Sequence, residues 1–183
     1  ARPDAPDKAA GKAVYIHDLV RPGMLYGKIK YSEHAHARIK HIDTSKAERL
    51  PGVRAVLTGD NAPQVRYGFI KDNFVFKRDK VRQYRDEVAA VAATDPDIAA
   101  EAVDLIQVEY EELPGVFDPE EALQEGAPLI HETDARGKPR KDNLVPVPWR
   151  FAAGDVEKAK EEAAHTAEDA FETQLIQQSC MGT

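Results

Sequence analysis

Hydrophobic and polar positions along this chain change period several times, and the changes mark out its elements. Residues 13–16, 25–31 and 35–42 have the two-residue spacing of strands. The third alternates best, with Ala35, Ala37 and Ile39 opposite His36, Arg38 and Lys40. Asp43-Thr44-Ser45 predicts the cap of a short helix over residues 46–50, ended by Pro51-Gly52, and residues 53–57 follow as a strand. Gly59-Asp60-Asn61-Ala62-Pro63 is a turn cluster. Residues 64–87 mix Tyr67, Phe69, Phe74, Phe76 and Tyr84 with many charges, which predicts loops and one short strand. Residues 88–93 are small and apolar throughout, as in a strand buried on both faces.

The clearest helix starts at Asp95-Pro96. Asp accepts hydrogen bonds from the first free amides, and proline needs no partner at the first helical position. Ile98, Ala102 and Leu105 then share a face, flanked by Ala99, Val103 and Ile106. Residues 107–111 form a strand ended by Leu113-Pro114-Gly115, and residues 118–124 suit a short helix. From 126 to 143 the chain is rich in Gly, Pro and charge, which predicts an exposed connector. Beyond it residues 144–152 look extended, and Gly154-Asp155 caps a helix with Val156, Ala159 and Ala163 on one stripe. Residues 166–176 look like a strand that a covalent continuation or a tightly bound partner would complete. Irregular alternation, with several strands adjacent in sequence, predicts an α+β domain rather than a doubly wound sheet.

Composition narrows the function classes. The chain has 183 residues, 42% hydrophobic and 31% charged, with a net charge of −7. An acidic chain lacks the Lys and Arg surplus that holds phosphate backbones, so no nucleic-acid partner is expected. No apolar run is long enough to span a bilayer, and residues 1–12 are polar, without a signal core. A single cysteine, Cys180, cannot form an internal disulfide, a zinc ribbon or an iron–sulfur site. A cytoplasmic location is the expectation.

Candidate chemistry is sparse. His34 and His36 would share a strand face and could chelate a metal, but nothing in the sequence places a third ligand, so surface or interface histidines are expected, as for His17 and His41. Glu109, Glu111, Glu112, Glu120 and Glu121 suit solvated faces. Cys180 has no neighbouring base to activate it. The basic tract Arg136-Gly137-Lys138-Pro139-Arg140-Lys141 suits a solvated linker, and no glycine-rich phosphate loop is present.

One ordered set of motifs goes further. It runs Gly11-Lys12-Ala13-Val14-Tyr15, then Ser32-Glu33-His34-Ala35-His36-Ala37-Arg38-Ile39, then Leu50-Pro51-Gly52-Val53-Arg54-Ala55-Val56-Leu57-Thr58. Asp86-Glu87-Val88-Ala89-Ala90-Val91-Ala92-Ala93, Ala99-Ala100-Glu101-Ala102 and Val108-Glu109-Tyr110-Glu111-Glu112-Leu113-Pro114 complete it. In order and spacing it resembles the N-terminal hammerhead domain of the molybdopterin-binding large subunit of molybdenum hydroxylases, the family of xanthine dehydrogenase and aldehyde oxidase. Gly154-Asp155-Val156-Glu157-Lys158-Ala159 with Thr173-Gln174 resembles the entry to that subunit's molybdopterin-binding domain. There the family usually carries a His and then Met-Glu-Pro, whereas this sequence ends Gln178-Ser179-Cys180-Met181-Gly182-Thr183. The pattern is somewhat closer to the bacterial three-subunit enzymes, including 4-hydroxybenzoyl-CoA reductase, than to the animal single-chain ones.

The resemblance implies a lead-in at 1–12, a hammerhead domain at 13–131, a connector at 132–143 and the start of the molybdopterin-binding domain at 144–183, with its first strand-helix-strand. It implies a molybdopterin cofactor, in its cytosine dinucleotide form, bound downstream of this chain, with [2Fe-2S] clusters and FAD on partner domains or subunits. The partners implied are the remainder of the molybdenum-binding subunit, an iron–sulfur subunit and an FAD subunit. The substrate would be an aromatic, heterocyclic, aldehyde or thioester compound. It assigns no catalytic, cofactor-binding or metal-binding residue here. Phe69 and Phe74, in the aromatic-rich segment, are the candidates for a substrate-channel wall. The competing reading is a stand-alone hammerhead-fold binding or scaffold domain without molybdenum.

Overall fold

In the computed structural model the described residues are 3–68, 70–134, 136–145, 151, 153–174 and 176. The element order is α1 (Ala5–Ala9), a 3-10 turn (Ile16–Asp18), β1 (Tyr26–Tyr31), β2 (Ala37–Asp43), α2 (Ser45–Glu48), β3 (Val53–Thr58), β4 (Arg66–Tyr67), β5 (Asn73–Phe74), β6 (Lys80–Val81), β7 (Glu87–Ala93), α3 (Pro96–Leu105), β8 (Gln107–Glu112), a second 3-10 turn (Glu121–Leu123) and α4 (Val156–Glu162). The chain divides into a larger unit, residues 22–147, and a smaller one, residues 1–21 with 148–183.

In the larger unit β7 is hydrogen-bonded on both sides, antiparallel to β1 and to β3. Both outer strands shift register once, between Lys30 and Tyr31 and between Val53 and Ala55. Ala89, Val91 and Ala93 of β7 pack with Ala47 of α2 and Ala99 and Ala102 of α3, closed by Ile106. Alanine dominates because the helix lies close over the strand, leaving room for little more than a methyl group. β7 was expected to be buried on both faces, but Ala90 and Ala92 on its other face are only half-buried. α3 starts where the sequence placed it: an Asp95 side-chain oxygen accepts from the Asp97 amide at 2.8 Å and the Ile98 amide at 3.4 Å. The turn into β3 needs Gly52, whose φ is +99° and where a Cβ would stand 2.7 Å from Ile98 Cδ1.

β2 is the middle of a second antiparallel sheet, between β6 and β8. Ala37, Ile39, Val81 and Val88 form its core, and Ile42 and Val108 also pack against the first core. The short strands β4 and β5 make a two-stranded hairpin.

The smaller unit departs from the sequence expectations. Residues 5–9 are helical, where a flexible lead-in was expected, and Lys8 pairs with Asp4 at 2.7 Å. Residues 13–16 form no strand. The backbone turns at Ile16–Asp18, where Asp18 Oδ2 accepts from the Tyr15 amide at 2.9 Å. α4 begins as expected, with Asp155 accepting from the Lys158 amide at 3.0 Å. The described residues of 166–176 form no strand. They are exposed and meet no second strand, and an extended segment without a partner has no ladder to stabilise it.

Ile106 is 2% exposed at the seam between α3 and the first sheet. Ile106→Ala should lower stability by about 2–5 kcal/mol in urea unfolding. A loss below about 1 kcal/mol would mean that the seam collapses around the smaller side chain.

Candidate functional site

The segment from 64 to 87, least legible in sequence, builds the most polar part of the larger unit. Its centre is Lys77, with a side chain 4% exposed. Its ammonium donates to the Phe74 carbonyl at 2.9 Å and to Glu87 Oε2 at 3.0 Å, and stands 3.3 Å from Asp86 Oδ1. Asp86 is as deeply buried, and its other oxygen accepts from the amides of Arg82 at 2.6 Å and Gln83 at 3.3 Å. The Asp86 carbonyl accepts from the Ser32 amide, tying this turn to the stretch before β2. Burying these two charges together holds the loop in one shape, because either alone would lose its hydration uncompensated.

A second set of charges reaches the 130–132 stretch. Lys80, buried in β6, pairs with Glu132. Arg82 donates through Nε to the Ile130 carbonyl at 3.0 Å and lies 3.6 Å from Glu132 Oε2. Burial acts to raise the Glu132 pKa, but the hydrogen bond and charge of Lys80, with Arg82, outweigh it and hold the carboxyl below its usual range. His131 Nε2 lies 3.6 Å from Asp72 Oδ2. Burial pushes its imidazole pKa down, and the nearby Arg82 charge adds to this, while Asp72 opposes.

Around this network are open clefts. One, about 430 Å³, is walled by apolar side chains including Ile70, Val116, Phe117 and Pro119, with Asp72, His131 and Arg140 supplying polar groups. Two smaller clefts, of about 260 Å³ and 120 Å³, share Asp72, Arg82 and His131 with each other. Phe74 lines the smallest one, half-buried, with the Arg66 guanidinium 4.9 Å from its ring centre. Phe69 lies outside the described residues. Asn143 holds the far wall: its Oδ1 accepts from the Ile130 amide, and its Nδ2 donates to the carbonyls of Ala122 and Pro128. The basic tract after Ala135 belongs to an ordered turn in which Thr133 bridges Pro139 and the Arg140 amide donates to the Glu132 carbonyl.

The histidine pair is not a chelate. His34 and His36 precede β2 rather than sharing its face, and the His34 ring lies 4.8 Å from that of Tyr110. His36 is not a surface residue: it is 5% exposed, with Nδ1 2.6 Å from the Pro114 carbonyl. Glu111, exposed as expected, pairs with Lys40 and Arg38, and the Lys40 hydrogen bond lowers its pKa. Cys180 lies outside the described residues. Among the described residues no three His, Cys, Asp or Glu side chains converge as a metal site. Lys77 and Asn143 went unnoticed in sequence, and Asp86 entered only as part of a family motif, since a buried ion pair and a long-range amide clamp leave no local pattern.

The aldehyde oxidase and xanthine dehydrogenase hammerhead-domain model matches residues 10–114. The chain belongs to the aldehyde oxidase and xanthine dehydrogenase family. It is 40% identical to a probable xanthine dehydrogenase subunit of Bacillus subtilis (strain 168), covering 93% of this chain and 22% of that protein. It is 39% identical to the nicotinate dehydrogenase large molybdopterin subunit of Eubacterium barkeri, covering 94% and 39%. The reconstituted CO dehydrogenase from Oligotropha carboxidovorans shares the fold with a TM-score of 0.68 at 40% identity, over 78% of this chain and 19% of that one. The chain thus spans between 19% and 39% of the length of these family members. The matched hammerhead residues include both sheets and the Lys77–Asp86 pair. The α+β expectation holds.

Lys77→Met should cost about 3–5 kcal/mol in urea unfolding, because it strands the buried Asp86 carboxylate. A neutral result would mean that water reaches Asp86. His131 gives a pH signature. Its folded pKa lies below the ordinary 6.5, so the unfolded chain takes up the proton first. Stability should therefore fall as pH drops from 6.5 towards the folded pKa and be unaffected above that window. His131→Gln should flatten that part of the pH–stability curve, and an unchanged slope would rule out His131 as its source.

Proposed function

We propose that this chain is the N-terminal part of the large subunit of a molybdenum-dependent hydroxylase or dehydrogenase. It serves subunit packing and positioning rather than bond-making. The substrate class would be an aromatic, heterocyclic, aldehyde or thioester compound. The observation that carries this reading is the hammerhead match over 10–114 joined to a cleft whose charges are all turned to structure. Lys77, Lys80, Arg82 and Glu132 are each engaged in ion pairs, and among the described residues there none combines an activated nucleophile with a base.

In this reading residues 13–131 are the hammerhead domain, 1–12 its lead-in and 132–143 a connector, with the molybdopterin-binding domain starting at 144. Molybdopterin, as the cytosine dinucleotide, would be held by residues downstream and would supply the redox chemistry of hydroxylation. Iron–sulfur and FAD subunits would carry the electrons away, in the cytoplasm. Among the described residues no helix is long and apolar enough to cross a membrane. Phe74, and Phe69 with it, would form part of the wall along which substrate reaches the cofactor. The half-buried ring beside the His131 cleft supports that placement for Phe74.

Purification of the assembled complex and of the 183-residue chain, each followed by elemental analysis, tests the assignment. Molybdenum should accompany the assembly and be absent from the isolated chain, and an assembly without molybdenum would sink the proposal. In the assembled enzyme Phe74→Ala should raise KM about tenfold, with kcat and molybdenum content unchanged, as for a group that binds ground and transition states alike. An unchanged KM removes Phe74 from the channel.

A further inference from the structure

The two faces of the β1–β7–β3 sheet are treated differently. One carries Tyr26, Val53, Val56, Ala89, Val91 and Ala93 and is packed in the core with residues of α2 and α3. The other carries Gly27, Ile29, Ala55, Leu57, Ala90 and Ala92, all uncharged, and is bounded at one end by Tyr31 opposite Glu87, whose carboxylate is paired with Lys77. Strand register aligns them in two rows, Ile29–Ala90–Leu57 and Gly27–Ala92–Ala55. Ile29 and Leu57 are each 40% exposed.

Gly27 gives this face a direction. It is the second residue of β1, without a left-handed φ, and a Cβ there would meet only the Val91 carbonyl, at 3.9 Å, among the described residues. Neither backbone conformation nor packing within the chain calls for glycine, which costs a strand about 0.5–1 kcal/mol against alanine. Glycine inside a strand otherwise marks the close approach of another backbone.

We propose that this face is the docking site for an apolar helix from the remainder of the same large subunit. The inference rests on the large-subunit reading above. Between 61% and 78% of the length of the two sequence relatives lies outside the match (100 − 39 and 100 − 22), so covalently linked chain is at hand to cover the face. The dimensions fit as well. Three strands about 4.8 Å apart make a floor about 10 Å wide, the width of one helix. The small row lets that helix sit low, and Ile29 and Leu57 grip its sides.

The test labels cysteines with a small maleimide and reads each site by peptide mapping. In the 183-residue chain Ile29→Cys should react as fast as Arg49→Cys, an exposed control. In the full-length subunit Ile29→Cys should be protected at least about a hundredfold, as for a site opened only by local unfolding, and the control unchanged. Gly27→Val should leave the melting temperature of the 183-residue chain equal or higher, yet restore labelling at position 29 in the full-length subunit. Equal labelling of Ile29→Cys in both proteins overturns the proposal. So does a drop in the melting temperature of the 183-residue chain on Gly27→Val, which would place the need for glycine inside this chain. Protection of the 183-residue chain that vanishes on dilution overturns it too, by naming a second copy as the occupant. Molybdenum analysis of the full-length assembly separates the two readings. Metal present with position 29 open sinks only the docking site, and metal absent with position 29 protected sinks only the enzyme assignment.

Discussion

Two opposite charges held out of water, on Lys77 and Asp86, set the shape of everything around them in the larger unit. Neither can be left alone, since a buried charge without a partner costs several kcal/mol. The remaining capacity of each group is therefore filled from neighbouring loops: Phe74 and Glu87 for the ammonium, the Arg82 and Gln83 amides for the carboxylate. Those bonds fix the turn ahead of β7, and that turn grips Ser32 on one side and, through Arg82, Ile130 on the other.

That arrangement also explains what the cleft is suited to do. Its charged groups are held by ion pairs or by hydrogen bonds to the backbone, so they give the cleft a fixed wall. Burial and the nearby Arg82 charge push the His131 pKa down, which disfavours a charged ring beside the cleft. On the large-subunit proposal, such a surface would guide an uncharged, partly aromatic molecule without trapping it. This agrees with a large-subunit component whose redox chemistry is carried elsewhere.

Local signals were legible in the sequence and long-range ones were not. Asp95-Pro96 announced α3 because a cap and its helix are neighbours in the chain, and the alternation of residues 37–42 announced β2 for the same reason. The motif order from Gly11 to Pro114 carried the family, which periodicity alone could not. Lys77 and Asn143 were invisible because the partners that define their roles, Asp86 and Ala122 among them, lie 9 and 21 residues away (86 − 77 and 143 − 122), and both look like any other polar residue. The strand expected at 166–176 shows the opposite failure: its pattern is strand-like, but the ladder needs a second strand that the pattern cannot supply.

The register shifts in β1 and β3 have a bearing on solubility. These are the edge strands of the first sheet, each with one row of backbone groups that β7 does not use. Such edges are templates for pairing with other molecules, the first step towards fibrils. On β3 the extra residue, Arg54, breaks the even spacing that an incoming strand would need and brings charge to the same place, while β1, which keeps its spacing against the extra Val88 of β7, carries Lys28 and Lys30 on its edge. The sheet can leave an apolar face open for a legitimate neighbour because its edges are spoiled for illegitimate ones.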